Sequence, residues 1–317
     1  MKDQIMTVLG PQAPGELGIT DAHNHLWITE QENQADQAPV LDQETEIRQE
    51  LIAYRKAGGG SQLDCQPGGA GRDGNKLRQL SASSGVKIVA CTGFHLREYY
   101  PLDAGLWSMD GDQAVDYFLG EIHEGLEETR GGSPTVHPGF IKIAVRETIQ
   151  KSPVHLMEAA SAASKQSGYL IQMHTQRGAN AEAFVRFFLD HNLPLDRLVI
   201  SHLDKRPDLG LHRELAQAGC LLEYDTFFRP KYDPENNLWP LILSMVREGY
   251  SSSIACATDL ADSALWETMG SGPGLVGFIN VIKKRLEDHI ADSPVVAKLM
   301  GENIAGRLGV HHKESTT

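Results

Sequence analysis

The chain has 317 residues, 41% of them hydrophobic, which is enough to bury a large core, and its formal net charge is −13. This acidic balance argues against nucleic acid or an anionic membrane as the main partner, although local cations could still hold an anionic small substrate. The amino terminus lacks the apolar stretch of a signal peptide and no run approaches the length of a membrane span, so a cytoplasmic location is expected.

Eight short apolar runs follow one another along the chain, and segments that can hold a helix lie between successive runs. Continuous apolar runs are typical of parallel strands that are buried on both faces. The runs are LGITDAH, GGSQLDC, VKIVACTGF, GFIKIAV, YLIQMH, RLVISH, CLLEYD and SSIACATD. Strand alternating with helix eight times predicts an α/β fold, a (β/α)8 TIM barrel that forms one domain over residues 1–317. Only the tail, residues 311–317, is expected to be frayed.

The helical segments carry apolar residues at a period near 3.6. In ETEIRQELIAYRKAG these residues are Ile47, Leu51, Ile52 and Tyr54, and a glycine run ends the segment. The same pattern predicts helices in AVDYFLGEIHEGLEE, VHLMEAASAASKQSG, AEAFVRFFLDHN, HRELAQAG and WPLILSMVREG.

Six polar side chains stand at or just past the carboxyl ends of five of these runs. They are His23, His25, Lys142, His174, His202 and Asp259. In a barrel of parallel strands those ends converge on one open face, so these side chains are expected to meet. Four imidazoles, a carboxylate and a lysine in one pocket predict a metal site built for hydrolysis.

The histidines and the aspartate fit a metal site better than a strand core. His23 and His25 are two residues apart on one strand, so both rings point to the same side and could bind one ion. Two solvated or core histidines are the alternative for that pair. His174 and His202 each follow a separate run, where a strand core would favour Val or Ile. Asp259 adds an oxygen ligand, and nitrogen and oxygen ligands without thiolate suit Zn, Mn, Co or Ni.

Lys142 lies inside the run GFIKIAV, where an isolated buried cation is costly. Its amine could reach the barrel mouth or pair with Asp259. Alternatively, carbon dioxide could carbamylate the amine, which turns the cation into an anion able to bridge two metal ions. Two ions so bridged would share a hydroxide that is nucleophilic at neutral pH.

Several segments together resemble the phosphotriesterase-like family of the amidohydrolase superfamily, over nearly the whole chain. The opening TVLGPQAPGELGITDAHNHL is similar to the family's start, in which a short β-hairpin precedes the HxH strand, and this hairpin would fall within residues 1–18. The segments GRDGNKLRQLSASSGVKIVACTGFH, GFIKIAV, SHLDKRPD and GSGPGL resemble further family segments.

The resemblance implies two divalent metal ions, zinc foremost with Mn, Co or Ni as the other candidates, and a role for each of the six residues. The more buried ion would be bound by His23, His25 and Asp259, and the more exposed ion by His174 and His202. The lysine, carbamylated by carbon dioxide, would bridge both ions. Asp259 would also be the catalytic residue that accepts the proton from the bridging hydroxide.

The chain departs from the family pattern at three positions. Asn24 stands where the family often has Glu, and little effect is expected because the residue should point away from the ions. Thr258 stands where His commonly precedes the aspartate, so a contact around that ligand is expected to differ. His95 stands where third-strand relatives often carry Tyr.

Candidate substrate contacts lie in the loops after the third and seventh runs. They are His95, Arg97, Tyr99, Arg229, Lys231 and Tyr232. The two cations and the hydroxyl of the seventh-run loop could clamp a phosphate or carboxylate, and a comparable Lys and Tyr occur in sugar-lactone and sugar-phosphate-lactone hydrolases of the family. Solvent-facing loop charges are the alternative.

The predicted function is the opening of a lactone by a metal-bridging hydroxide, with a sugar-acid lactone, phosphorylated or not, as the substrate. Hydrolysis of a phosphotriester or phosphodiester at the same centre is the alternative. A third interpretation is a barrel that binds a small ligand without chemistry. The partner expected in each case is a small molecule, and the family resemblance also suggests a homodimer.

Overall fold

The computed structural model describes residues 4–31 and 38–309, so the tail at 311–317 lies outside the described residues. Near the amino end, β1 (Ile5–Thr7) and β2 (Gly10–Gln12) pair as an antiparallel hairpin. The hairpin contacts the barrel through Val8, whose backbone N–H donates to the carbonyl of Ile88 at 2.9 Å. The predicted amino-terminal hairpin is therefore confirmed, while the single-domain boundary at 1–317 stays a prediction.

Each of the eight apolar runs forms a strand, and the third run is divided in two at Ala90. The strands are β3 (Thr20–Asn24), β4 (Ser61–Asp64), β5 (Lys87–Val89), β6 (Cys91–Gly93), β7 (Phe140–Ala144), β8 (Ile171–His174), β9 (Leu198–Ser201), β10 (Leu221–Tyr224) and β11 (Ile254–Cys256). All adjacent pairs in this series are parallel, in the order β3-β4-β5 and β6 through β11. The predicted (β/α)8 barrel is confirmed.

The barrel closes where the last strand meets the first. Beyond β11, the backbone N–H of Asp259 donates to the carbonyl of His23 at 2.9 Å, and that of Thr258 donates to a carboxylate oxygen of Asp21 at 3.1 Å. These bonds bring the two ends of the strand series together. They also place the carboxylate predicted as a ligand beside the predicted HxH pair.

Helices follow most of the strands and cover the outside of the barrel. They are α1 (Glu44–Lys56), α2 (Gly74–Ser84), α3 (Gly111–Glu124), α4 (Val154–Ser167), α5 (Ala181–Asp190), α6 (Leu209–Gln217), α7 (Leu238–Arg247), α8 (Lys284–His289), α9 (Ser293–Ala297) and α10 (Asn303–Leu308). Aspartates cap three of them, because the side chains of Asp73, Asp110 and Asp208 accept from backbone N–H groups of the first turns of α2, α3 and α6. No helix of the described ranges has the length and apolar character to cross a membrane.

The barrel interior changes from apolar to polar along its axis. An apolar layer takes one residue from each of several strands, among them Leu63, Val89, Phe140, Val199 and Leu221. Polar side chains follow these residues toward the carboxyl ends of the strands. Because the apolar layer is packed, a ligand can reach the interior only from the carboxyl-end face.

Candidate metal centre

The structure brings the six predicted ligand residues together at the carboxyl-end face. His23 Nε2 lies 2.9 Å from Lys142 Nζ and 3.8 Å from Asp259 Oδ1. His25 Nε2 lies 3.6 Å from the same carboxylate oxygen. On the other side of the centre, His174 Nδ1 lies 2.8 Å from His202 Nε2. Side chains from five separate strands therefore share one pocket, although no contact of this kind by itself assigns a role to any of them.

The backbone is unusual at two of these residues. His202 and Asp259 have φ of 63° and 49°, in the left-handed region that non-glycine residues seldom adopt. Such conformations cost on the order of 1 kcal/mol or more and tend to persist where function requires them. Here each turns a side chain from the end of its strand into the shared pocket.

The two histidines of β3 and the turn after it are each held by a hydrogen-bond acceptor on the Nδ1 side of the ring. His23 Nδ1 lies 2.8 Å from Glu223 Oε2, and His25 Nδ1 lies 2.7 Å from Gln66 Oε1. The orientation of the Gln66 side-chain amide is fixed, because its Nε2 donates to the carbonyl of Ala70. Each Nδ1–H therefore has an acceptor, and each Nε2 presents a lone pair to the pocket. This is the arrangement that metal-binding histidines usually have.

His202 is held in the same way by a carboxylate. Its Nδ1 bonds to Asp225 Oδ2, which leaves Nε2 to face His174. His174 is the exception, since its Nε2 is buried without a hydrogen-bond partner among the described residues and its Nδ1 faces the pocket. The two nitrogens that face each other lie 2.8 Å apart, so one cation could contact both of them.

Lys142 is a buried lysine that lacks a carboxylate partner within the described residues. It is fully buried, and no carboxylate oxygen of the described residues lies within 4.0 Å of its Nζ. The alternative in which this amine pairs with Asp259 is therefore not what the structure shows. An unpaired ammonium in a dry interior is strongly disfavoured, so the geometry suits a modification or a ligand that removes the positive charge.

Burial keeps the imidazoles in the neutral form that binds metals. Burial lowers the pKa of His25 to about 4 and holds the pKa values of His23 and His174 well below their usual range. For Asp259, burial acts to raise the pKa, but the nearby Arg229 and His202 outweigh it and the net pKa is lowered. At neutral pH the centre therefore offers neutral nitrogens and an ionised carboxylate.

Three residues of the centre escaped the sequence analysis. Glu223, Asp225 and Gln66 contact histidines from behind, as described above. A signal existed for the first two, because they stand two residues apart in CLLEYD, the same alternation that marked the HxH pair. The glutamine lies in a glycine-rich loop, and nothing in its spacing pointed to the site.

Asn24 is more tightly tied than the sequence suggested. Its side-chain Nδ2 donates to Gln62 at 3.0 Å and to Thr258 Oγ1 at 3.2 Å, and its Oδ1 accepts from the backbone of Leu260 at 3.0 Å. Thr258 Oγ1 in turn donates to Asp21 at 2.6 Å. The side chain points away from the predicted ligands, as expected, and joins β3 to the segment that carries the aspartate ligand. The expectation of little effect at Asn24 stays a prediction.

A cavity of about 160 Å³ opens over the centre. Two of the six candidate substrate contacts, His95 and Tyr99, line it. The apolar part of its lining consists of Ile28, Ala38, Pro39, Ala70 and Ala261. The polar part includes the predicted metal ligands His25, His174, His202 and Asp259. No lysine or arginine belongs to the part of the lining that the structure describes.

The other four candidate contacts lie elsewhere. The guanidinium of Arg97 donates to the backbone carbonyls of its own loop, including that of Pro101 at 2.8 Å, and lies over the ring of Trp107. Lys231 is exposed, with its Nζ 5.1 Å from the centroid of the Tyr232 ring. None of these three candidates lines the cavity within the described ranges, so their predicted role in substrate binding stays a prediction.

Arg229, the fourth, contacts a predicted metal ligand. Its Nη2 lies 3.0 Å from Asp259 Oδ2, and its Nη1 donates to the carbonyls of Asp225 and Thr258 at 3.1 and 3.0 Å. The guanidinium thus fixes the carboxylate and the two backbone segments on either side of it. The observed contacts are internal to the protein, whereas the sequence suggested contact with a substrate.

Comparison with known proteins places this geometry in a family. The sequence model described as the phosphotriesterase family matches residues 3–303. The chain belongs to the phosphotriesterase family. It is 28% identical to an N-acetyltaurine hydrolase from Tetraodon nigroviridis, over 93% of this chain and 95% of that protein. The prediction of a hydrolase of this family is confirmed at that level.

Solved structures share the fold. A lactonase from Listeria monocytogenes superposes with a TM-score of 0.87 at 24% identity, covering 98% of this chain and all of that one. An amidohydrolase from Mycoplasma synoviae superposes with a TM-score of 0.89 at 22% identity, covering 99% of this chain and 94% of that one. At these identities the likeness shows the fold alone.

The Asp225→Asn variant is expected to bind metal about 10- to 100-fold more weakly than the wild type. The amide can no longer accept with full charge from His202 Nδ1, so the ring is held less firmly and its Nε2 is a weaker donor to an ion. Competition against a chelating dye measures the affinity. Asp208→Asn is the control, since Asn also caps α6. Equal affinities for wild type and Asp225→Asn would contradict the assignment.

The Arg229→Met variant is expected to move the acid limb of the kcat/KM profile to higher pH, by on the order of one unit. Arg229 helps to keep the pKa of Asp259 below its usual range, so removing the cation raises that pKa and the carboxylate protonates earlier as pH falls. The measurement is a pH–rate series, with Arg247→Met, an exposed arginine of α7, as the control. An unmoved limb would show that Arg229 does not tune this carboxylate.

Proposed function

We propose that the chain is a metal-dependent hydrolase with a binuclear centre, and that its substrate is a lactone. The observation that carries the proposal is a set of buried imidazoles, held from behind by Glu223, Gln66 and Asp225, around a buried lysine that has no carboxylate partner within the described residues. Neutral nitrogens, one carboxylate and no thiolate suit zinc, with Mn, Co or Ni as alternatives.

In this proposal the six ligands divide into two sets. His23, His25 and Asp259 hold the more buried ion, and His174 and His202 hold the more exposed one. A carbamate formed from the lysine amine and carbon dioxide lies between the two sets. Such a group replaces an uncompensated cation with an anion, which would relieve the cost of burying Lys142.

The bound ions would supply a hydroxide nucleophile at neutral pH and polarise the carbonyl that it attacks. Asp259 would accept a proton from the nucleophile and donate it to the leaving oxygen. Arg229 keeps this carboxylate ionised and fixes its orientation through the contact at 3.0 Å. The apolar part of the cavity lining would contact the acyl part of the substrate and exclude water from it.

The cavity favours a small acyl substrate. It measures about 160 Å³, and part of its lining is apolar. A second candidate substrate class is an N-acyl amide, because relatives that align over almost the whole chain are named N-acetyltaurine hydrolases and the apolar part of the lining suits a short acyl group. Phosphotriesters remain an alternative, since the same ions could polarise a phosphoryl oxygen.

A substrate panel tests the proposal. The zinc-loaded and manganese-loaded protein would be assayed with aldonolactones with and without a phosphate, with N-acetyltaurine and related N-acyl amides, and with aryl phosphotriesters. We expect a kcat/KM for a lactone about 100-fold or more above that for phosphotriesters, and loss of activity after chelation. Turnover of amides alone would replace the lactone with the second candidate. Turnover of phosphotriesters alone would contradict both, and no turnover by metal-loaded protein would favour a ligand-binding barrel.

The predicted homodimer and cytoplasmic location stay predictions. Size-exclusion chromatography with light scattering would measure the first, and fractionation of cells would measure the second.

A further inference from the structure

A fifth imidazole lies in the cavity beside the predicted ligands. His95 follows β6, and only 8% of the residue is exposed. Its ring centroid lies 5.5 Å from that of His174 and 6.2 Å from that of His25. Proximity alone would make it an additional metal ligand. The hydrogen bonds around it lead to a different role.

The ring and the backbone of His95 are both fixed by hydrogen bonds. The backbone N–H of Leu96 donates to His95 Nδ1 at 2.8 Å. The backbone N–H of His95 itself donates to the hydroxyl of Tyr100 at 2.9 Å, and Tyr100 is buried. The ring of Tyr99 packs edge-on against the imidazole, with centroids 4.6 Å apart. The imidazole therefore has a defined orientation, with Nδ1 turned to the backbone.

This orientation determines which nitrogen carries the proton. Nδ1 must offer a lone pair to accept from Leu96, because a proton on Nδ1 would set two N–H groups against each other at 2.8 Å. A neutral imidazole has one N–H, so the proton is on Nε2. A protonated nitrogen has no lone pair for a metal ion. Among the described residues, none accepts a hydrogen bond from Nε2.

Three of the predicted ligand histidines have the opposite arrangement. His23, His25 and His202 each give Nδ1 to an acceptor and keep Nε2 for the pocket as a lone pair. His95 gives its lone pair to the backbone and keeps an N–H. The centre thus combines imidazole nitrogens that carry a lone pair with one imidazole nitrogen that carries a proton. The residue with the N–H, His95, lines the space that a substrate would fill.

We propose that His95 is a catalytic residue whose Nε2–H donates a hydrogen bond to an oxygen of the acyl substrate, and that it binds no metal ion. The inference rests on the proposed function, because it places an acyl substrate in this cavity. The donor atom is Nε2 of His95, and the acceptor is a substrate oxygen next to the scissile bond. A preorganised donor of this kind is effective because it needs no reorganisation during the reaction.

The position of the proton on the His95 ring can be tested without an activity assay. In protein labelled with ¹⁵N in its histidines, a long-range proton–nitrogen spectrum distinguishes the two ring nitrogens, and the His95 signals are those missing from His95→Gln. We expect Nε2 to carry the proton in both the metal-free and the zinc-loaded protein, and the zinc content of His95→Gln to equal that of the wild type. A proton on Nδ1, or loss of one ion per chain in His95→Gln, would overturn the proposal. This result does not depend on which substrate is correct.

Kinetics test the donor role. On whichever acyl substrate the wild type hydrolyses, we expect His95→Phe to lose about 10- to 100-fold in kcat/KM, and His95→Gln, which retains an N–H, to lose less. His123→Gln, an exposed histidine of α3, is the matched control and should leave kcat/KM unchanged. Thermal melting establishes that each variant is folded. Unchanged kcat/KM in folded His95→Phe would contradict the donor role. If His95→Phe does not fold, complete loss of activity in folded His95→Gln, which retains an N–H, would contradict it instead.

Discussion

Replacing Lys142 with Met is expected to remove hydrolysis while leaving the barrel folded and at least as stable. Met has a similar length and no charge, so it fills the same buried space without an ammonium that lacks a carboxylate partner within the described residues. The variant cannot form a carbamate and therefore loses the proposed bridging anion. We expect kcat to fall by about 10³-fold or more and the metal content to fall with it. Stopped-time assays, thermal melting and metal analysis measure the three quantities.

Two companion variants sharpen this test. Lys142→Ala leaves a cavity in which a short carboxylate can lie, so acetate or propionate should restore part of the activity and metal binding. Lys56→Met, an exposed lysine of α1, is the control and should behave as the wild type. If Lys142→Met kept full activity, or if it unfolded while Lys142→Ala folded and remained active, the carbamate would be excluded.

The Asp259→Asn variant is expected to lose about 10²- to 10⁴-fold in kcat with a smaller change in KM. An amide can still offer an oxygen to an ion but cannot take up a proton, so proton transfer is lost more completely than binding. Initial rates over a range of substrate concentrations separate the two parameters. Asp262→Asn, an exposed residue three positions away that caps a short helical turn, is the matched control. A variant with the kcat of the wild type would remove Asp259 from the mechanism.

The fold was predictable because each strand corresponds to one short continuous apolar segment of the sequence. Each apolar run of the barrel is a strand, since a parallel strand buried on both faces needs continuous apolar residues. The convergence of His23, Lys142, His174 and Asp259 followed from topology alone, because the ends of parallel strands meet at one face. No long-range packing had to be known for that step.

The pairing of the residues behind the ligands was not predictable from the same reasoning. The alternation in CLLEYD singles out Glu223 and Asp225, but their partners His23 and His202 come from other strands. Gln66 lies in a loop whose path decides which atom it presents. Contacts of this kind depend on side-chain direction across the barrel, which spacing along the chain does not encode.

Loop cations were the weakest part of the sequence analysis. The sequence marked Arg229 and Lys231, with Tyr232, as an anion clamp, and Arg97 as a further substrate contact. In the structure Arg97 bonds to backbone carbonyls, Arg229 bonds to Asp259, and Lys231 is exposed. A charge count cannot distinguish a cation that awaits a ligand from one that the protein already uses, because both look alike until the loop has folded.

The central claim is that six side chains from five strands, one of them a modified lysine, hold two metal ions. Anomalous diffraction from crystals of the zinc-loaded protein, grown with bicarbonate, tests it most directly. The account predicts two anomalous peaks at the carboxyl-end face, one beside His23 and His25 and one beside His174 and His202, with added density joining Lys142 to both. Peaks elsewhere, or a bare amine at Lys142 in a fully loaded crystal, would contradict it.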